Sequence, residues 1–259
     1  SVGEPISQAA WEWFFKTIGK ERCSILDTWW QTETGSITVT PFPGLYPLKP
    51  GCASRPFFGA EPVILGEDGK ELSYGKGALM LKRPTPSMAR TIHGNHKRYE
   101  KEYWCSKTGY YKTNDAAFLD KDGEFWILGR IDDVINVSGH RLSTMEIESL
   151  LGAHEYVAEA ACVGVDDAMT GQALSCFVVL NERACEEGAG DVKSLLSRYI
   201  SQSLGSFARP KILSLVPSLP KTRSGKIMRR TLKSIASGQK PKGDLSTLED
   251  PTVFDHIQV

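Results

Sequence analysis

No apolar run in this 259-residue sequence approaches the roughly 20 residues that a bilayer-spanning helix needs. No two of the six cysteines, Cys23, Cys52, Cys105, Cys162, Cys176 and Cys185, stand in a C-x-x-C pair. That removes the usual zinc and dithiol frameworks and leaves the expectation of buried thiols in a reducing, cytoplasmic compartment. Net charge is absent as well, because 31 Lys and Arg offset 31 Asp and Glu. There is no internal repeat, no low-complexity segment and no clean secretory start: Ser1 opens into Val2-Gly3-Glu4-Pro5, which reads as the middle of a domain. What remains is 41% hydrophobic and 24% charged, an ordinary globular composition with length for one large domain or two modest ones.

The zero balance hides an asymmetry. Between Ser201 and Gly243 there is no Asp or Glu, but there are ten basic residues, from Arg209 to Lys242. Such a block attracts anions, although a solvated basic helix face has the same composition. Phe207 is its sole aromatic residue, so a stacking platform for nucleic acid is not expected. A phosphorylated small molecule suits it better.

Periodicity predicts a helix over residues 7–18, capped by Ser7 and ended by Gly19. Residues 25–29 read as a strand leading into a loop through Gly35. A Pro/Gly-rich stretch over 41–62 precedes short strands at 63–65, near Leu72, and at 78–81. Residues 116–119 and 125–128 flank Lys121-Asp122-Gly123, a hairpin signal. These elements predict a small β-barrel or sheet lobe. Composition shifts near residue 131, with 19 of the 24 aromatic residues preceding Asp132. Beyond it the pattern is strand 134–137, helix 144–151, strands 157–165 and 174–180, helix 192–204, strand 212–216 and helix 230–236. Ser143 with Glu146 has the spacing of a capping box, and Gly205 can end the second helix. The predicted fold is mixed α/β (α+β), with residues 1–131 in one domain and 132–259 in a compact second one.

Four segments carry the chemistry: Gly3-Glu4-Pro5, the run Trp29-Trp30-Gln31-Thr32-Glu33-Thr34-Gly35, the run GRIDDVINVSGHR from Gly129 to Arg141, and PKTRSGKIMRR from Pro220 to Arg230. Long and ordered as they are, they make the chain resemble the C-terminal part of the AMP-forming acetyl-CoA synthetases, within the adenylate-forming superfamily. The resemblance implies the end of a large AMP-binding domain over 1–131, then a mobile C-terminal domain with a lysine loop and a tail over 132–259. It implies an acetate–CoA ligase: acetate attacks the α-phosphate of ATP, and CoA then takes the acetyl group and releases AMP. The family's upstream Ser/Thr/Gly-rich phosphate loop has no counterpart here, so a fragment inactive alone is expected.

The resemblance also implies residue roles. Gly3, Glu4 and Pro5 line the adenine slot. Asp115 accepts the ribose hydroxyls, in Thr113-Asn114-Asp115 where the family has Thr-Gly-Asp. Arg130 contacts ribose and phosphate, Thr32 the α-phosphate, Arg141 a phosphate, and Glu33 binds Mg²⁺. Trp30 shortens the acyl pocket, while Trp29 is expected in the core. Ser138 and Gly139 flank the pantetheine of CoA, and Asp132 is the hinge. Lys226 is the catalytic lysine and a target for a protein acetylase and deacetylase. The arginine that holds the CoA 3′-phosphate is replaced by Ser201, so that contact is lost or moves to Arg198. Each residue has a plainer reading: a turn for Gly-Glu-Pro, a structural ion pair for Arg130, a solvated basic face for Lys226. His93 and His96 lack the further ligands of a metal site. Acetate, ATP and CoA are the implied substrates, with neither membrane nor nucleic acid as partner. A ligase for propionate or another short acid, and a non-catalytic nucleotide- or CoA-binding fragment, are the alternatives.

Overall fold

Two sets of contacts, over Ser1–Ile131 and Asp132–Val259, divide the chain in the computed structural model. Described are residues 1–186, 191–223, 225–240, 246, 248–250, 253, 254 and 257, apart from the side chains of Arg141, Cys185 and Glu186.

In the first unit, Ser7 caps helix α1 (Gln8–Trp13) by accepting the Ala10 N–H at 3.2 Å. The helix widens into a π-helical turn, Phe14–Ile18, that stops at Gly19. The Trp11 indole donates to the Ile25 carbonyl at 3.2 Å and pins the helix to the following segment. That segment departs from the strand expected over 25–29. Its backbone bonds go to the first residue instead, from the Ser1 ammonium to Leu26 O (2.7 Å) and from Thr28 N–H to Ser1 O (3.0 Å). Only Trp29 pairs with a sheet residue, in a bridge to Val39.

The Pro/Gly-rich stretch holds two short antiparallel strands, β1 (Val39–Thr40) and β2 (Arg55–Pro56). A four-stranded antiparallel sheet follows in sequential order: β3 (Pro62–Leu65), β4 (Gly75–Leu81), β5 (Tyr111–Leu119) and β6 (Phe125–Arg130). Strand β3 pairs with β4 and β6 with β5, so the lobe is an open sheet and not the barrel that the sequence left as an option. The segment near Leu72 adds only a bridge between Leu65 and Glu71. Helix α2 (His96–Tyr103) lies between β4 and β5 in sequence. Trp29, Val39, Ile64, Leu79, Ala117 and Phe125 pack into the core. Beside it, Lys49 Nζ sits among Asp120, Asp122 and Glu124 at 2.7, 2.7 and 2.6 Å, tying the Pro/Gly-rich stretch to the β5–β6 turn.

A 3-10 turn, Ile131–Asp133, precedes the second unit. Its sheet contains β7 (Val134–Val137), β8 (His140–Ser143), β9 (Val157–Asp167), β10 (Gly171–Leu180) and β11 (Ile212–Leu215). Strand β10 pairs antiparallel with β7 and β9 and parallel with β11. Side chains alternate along β10. Leu174, Cys176 and Val178 join the core shared with helices α3 (Thr144–Gly152) and α5 (Val192–Leu204). Ala173 and Phe177 face the other core, built with helix α6 (Arg229–Ala236). The short helix α4 (Glu182–Glu186) precedes α5. Gly205 ends α5 at φ 105°. Ser143 stands at the N-cap of α3 but makes no side-chain capping bond, so the expected capping box is not formed.

The cysteines divide. Cys52, Cys162 and Cys176 are buried as thiols, whereas Cys23 is exposed and Cys105 half-buried, because both lie in turns beyond helix ends. Among the described residues no helix is long and apolar enough to cross a membrane.

Glu148 on α3 joins three elements. It accepts from Arg229 on α6 at 2.8 and 3.3 Å and from the Cys162 N–H on β9 at 2.8 Å. The Glu148 and Arg229 side chains are 13% and 15% exposed, so breaking the pair leaves a mostly desolvated charge. Arg229→Met is expected to cost about 3 kcal/mol, with most of it recovered in Glu148→Gln/Arg229→Met. Urea unfolding followed by far-UV circular dichroism measures both. A loss below about 0.5 kcal/mol is what a solvated surface pair would give.

Candidate functional site

Asp115 and Arg130 face each other across the β5–β6 ladder. A register shift against β4 puts a bulge on β5 around Asn114, which takes φ 59°. Bulges re-aim neighbouring side chains. Asn tolerates this left-handed conformation where most side chains resist it. Asp115 is 6% exposed. Its Oδ2 accepts from Trp29 Nε1 at 3.1 Å and from Gln31 Nε2 at 2.8 Å. Arg130 lies with NH1 3.7 Å from Oδ1 and donates to the Thr113 carbonyl at 3.4 Å.

Trp29 and Gln31 belong to the segment that carries Thr32 and Glu33. A tight turn over 31–35 folds it back: Thr34 N–H and Gly35 N–H both reach Gln31 O, at 3.0 and 3.2 Å. The Gln31 N–H in return donates to Thr34 Oγ1 at 2.9 Å. Gly35 adopts φ 67°, and a Cβ there would lie 2.3 Å from the Ser87 carbonyl oxygen, so the turn requires glycine. Ser87 Oγ donates to Thr34 O at 2.7 Å. Glu33 is held twice, by Ala89 N–H on its carbonyl (2.7 Å) and by the Tyr103 phenol on Oε1 (2.6 Å). The Glu33 hydrogen bond and burial push that phenol up to about 12, so it remains a donor. Thr32 stays exposed at the tip. Trp29 is buried at 8% and Trp30 exposed at 43%, which separates the two indoles into core and surface.

Gly3 and Glu4 are exposed and Pro5 half-buried. The Ser1 bonds to Leu26 O and Thr28 N–H join the Gly-Glu-Pro segment to the Trp-Trp segment. Asp27 is buried, and desolvation raises its carboxyl to about 6.

In the second unit, Ser138 and Gly139 form the two-residue turn between β7 and β8, at φ 50° and 85°. Positive φ at both positions is the twist a tight hairpin needs, and it exposes backbone at the tip. Arg141 pairs with Asn136 through the backbone, and its side chain lies outside the described residues. Lys226 is exposed in a second tight hairpin. A bridge between Lys221 and Ile227 closes it, with Thr222 N–H to Lys226 O at 2.9 Å and Lys226 N–H to Thr222 Oγ1 at 3.1 Å. Asp132 is exposed at the margin of a cavity of about 200 Å³ that Gln172, Arg230 and Lys233 also line. The Ser201 hydroxyl donates to Ser197 O at 2.9 Å within its own helix, while Arg198 is exposed.

The structure thus joins Glu33, Asp115 and Arg130 through Trp29, Gln31 and Tyr103, and places Ser138 and Gly139 on one turn. Sequence reasoning missed four contributors. Gln31, Asp27 and the donor role of Trp29 lay in or beside a motif already singled out. Tyr103 had no signal, because the helix that presents it was not foreseen.

Sequence profiles described as "AMP-binding enzyme" and "AMP-binding enzyme C-terminal domain" match residues 1–92 and 146–226. The acetyl-coenzyme A synthetase of Deinococcus radiodurans is 50% identical over 259 residues, all of this chain and 39% of that protein. The acetyl-coenzyme A synthetase of Emericella nidulans is 52% identical over 261 residues, 99% of this chain and 39% of that protein. The chain belongs to the AMP-binding enzyme family. It spans about two fifths of the length of these relatives. Among solved structures, the anthranilate CoA ligase AuaEII in complex with anthranoyl-AMP superposes with a TM-score of 0.76 at 27% identity, over 91% of this chain and 43% of that one. An ATP-bound RpMatB-BxBclM chimera, 24% identical over 91% of this chain and 44% of its own, gives a TM-score of 0.78 and shares the AMP-binding enzyme fold.

Two acidic sites bear on a divalent cation. Asp120, Asp122 and Glu124 lie close enough to share an ion, but the Lys49 ammonium already stands between them. Glu33 fits Mg²⁺ better: a half-buried carboxylate with one oxygen anchored by a neutral donor. Mg²⁺ takes one or two protein carboxylates and completes its shell with phosphate oxygens and water.

Burial of Asp27 makes part of the first unit's stability depend on pH. Because the folded-state value of Asp27 is raised from 3.8 to about 6, its ionisation opposes folding. That cost is small at pH 4, grows as pH rises from about 4 to 6, and is complete above that range. Asp27→Asn should therefore stabilise the first unit by about 1–3 kcal/mol at pH 8 and by almost nothing at pH 4. All six tryptophans precede Asp132, so tryptophan fluorescence during urea unfolding reads this unit. Equal separation of the two curves at both pH values would exclude Asp27 as the titrating group.

Proposed function

We propose that this chain carries the nucleotide site and the catalytic lysine of an AMP-forming acetate–CoA ligase. An acetate oxygen attacks the α-phosphorus of ATP, the α–β bridging P–O bond breaks, and pyrophosphate leaves. The CoA sulfur, losing its proton, then attacks the acyl carbon of acetyl-AMP and expels AMP. The observation that supports this reading is the buried Asp115 carboxylate, oriented by Trp29 and Gln31 and faced by Arg130. A carboxylate fixed beside a guanidinium suits a ribose diol next to a phosphate.

Around that anchor, Gly3, Glu4 and Pro5 line the adenine, Thr32 donates to the α-phosphate, and Arg130 and Arg141 meet the phosphate side. Glu33 would hold Mg²⁺, which neutralises phosphate charge when bound. Trp30 closes the acyl pocket at acetate length. Propionate is the second reading, and the Trp30 indole disfavours it by occupying the space of the extra methylene. Ser138 and Gly139 offer exposed backbone along which pantetheine runs, since glycine permits close approach. The second unit turns at Asp132 between the two half-reactions. Lys226 reaches the α-phosphate in the first pose only, where a cation between two anions lowers the barrier. Its exposure also leaves it open to a protein acetylase, and acetylation would remove the charge.

Lys226→Ala in the protein at its full natural length should slow acetyl-adenylate formation by roughly 10²–10³-fold. Thioester formation from supplied acetyl-adenylate and CoA should stay within a few-fold of normal. The two half-reactions are assayed separately on one preparation. A parallel fall in both would assign Lys226 a structural role, no fall in either would remove the lysine from the mechanism, and absence of both half-reactions in the unsubstituted protein would favour a nucleotide-binding protein without catalysis.

A further inference from the structure

Helix α2 reaches the Glu33 turn by two routes. The Tyr103 phenol donates to Glu33 Oε1 at 2.6 Å. One turn earlier, the Tyr99 phenol donates to the Ala89 carbonyl, and the Ala89 N–H donates to the Glu33 carbonyl at 2.7 Å. The Tyr103 ring is braced by the fully buried Tyr111 ring, which lies parallel to it, 5.7 Å between centroids and 5° between planes. Trp104 packs edge-on against the same Tyr111 ring. The Tyr111 phenol in turn donates to Gln31 Oε1 at 3.3 Å, and Gln31 is one of the two donors that orient Asp115. One aromatic stack therefore supports both carboxylates of the site.

We propose that Tyr103 is a positioning residue for Glu33, fixing its carboxylate so that the opposite oxygen meets the divalent cation carried by the nucleotide. This rests on the reading of Glu33 as the cation ligand. A neutral donor on one oxygen is well suited to that role, because it restricts the rotamer and leaves the negative charge in place. Hydrogen bonds to metal-ligating carboxylates typically contribute about 10- to 100-fold to metal affinity.

The test uses the protein at its full natural length with α,β-methylene-ATP and Mn²⁺, reading free Mn²⁺ by electron paramagnetic resonance. Tyr103→Phe removes one hydroxyl and keeps the ring on Tyr111. AMP titrated without metal counts the folded sites, so the comparison holds for any folded fraction. Tyr103→Phe should weaken Mn²⁺ binding to the nucleotide complex about 10- to 100-fold and leave metal-free AMP affinity within twofold. Glu33→Gln serves as the reference and should weaken Mn²⁺ at least as much. If Glu33→Gln weakens Mn²⁺ and Tyr103→Phe does not, the positioning role is overturned while the ligand reading stands. If Glu33→Gln itself leaves Mn²⁺ unchanged, the ligand reading fails and the proposal with it. An equal loss of AMP affinity in Tyr103→Phe would make the phenol a general support of the turn and would also overturn the proposal.

Discussion

A carboxylate removed from water must be matched by donors or it drives the surrounding structure apart. Asp115 meets that demand with an indole and an amide 86 and 84 residues away in sequence. Those two bonds fasten the Trp29–Gly35 segment to the middle of strand β5. Once they are made, the tight turn over 31–35 has one place to be, and Thr32 and Glu33 are presented at its tip. The bulge at Asn114 belongs to the same constraint, since without it the regular pleat would aim Asp115 differently. Arg130 follows from the ladder register and needs no further device.

The second unit solves a different problem. A sheet with apolar residues on both faces needs cover on both, and helices α3 and α5 supply one side and α6 the other. The Glu148–Arg229 pair spans from α3 to α6 and fixes them against β9. The residues proposed for the chemistry of this unit sit on hairpin tips, Ser138-Gly139 and the Lys226 loop, whose backbones are closed by short-range bonds. Rigid elements with functional residues on tight loops give accuracy of placement without burying the reactive groups.

Where local pattern dictates structure, the sequence was readable. Helix α5 spans the residues 192–204 that its capping and periodicity indicated, and the hairpin around Lys121-Asp122-Gly123 formed. Helix α2 was not readable, because among its eight residues only Tyr99 is buried and no apolar stripe marks it. Strand β8 was hidden by its brevity and by a turn of just two residues. The strand expected over 25–29 failed because apolar residues alone do not provide a pairing partner, and the backbone found Ser1 instead. The motifs pointed to Thr32, Glu33, Asp115, Arg130 and Lys226 through resemblance. The hydrogen bonds that orient the Glu33 and Asp115 carboxylates run between distant segments, and no local pattern encodes them. Tyr103 shows this most plainly, since its importance depends on a contact 70 residues away.

Asp115 is the proposed nucleotide anchor on which every other role depends, and calorimetric titration of AMP into wild-type protein and Asp115→Asn tests it most directly. Asn preserves size and can still accept from Trp29 and Gln31, but it offers no charge to the ribose hydroxyls. Loss of charge-assisted hydrogen bonds worth about 2–3 kcal/mol corresponds to AMP binding weakened roughly 30- to 150-fold, with the far-UV spectrum unchanged. AMP affinity within twofold of wild type would contradict the anchoring role and send the search for the nucleotide site elsewhere in the chain.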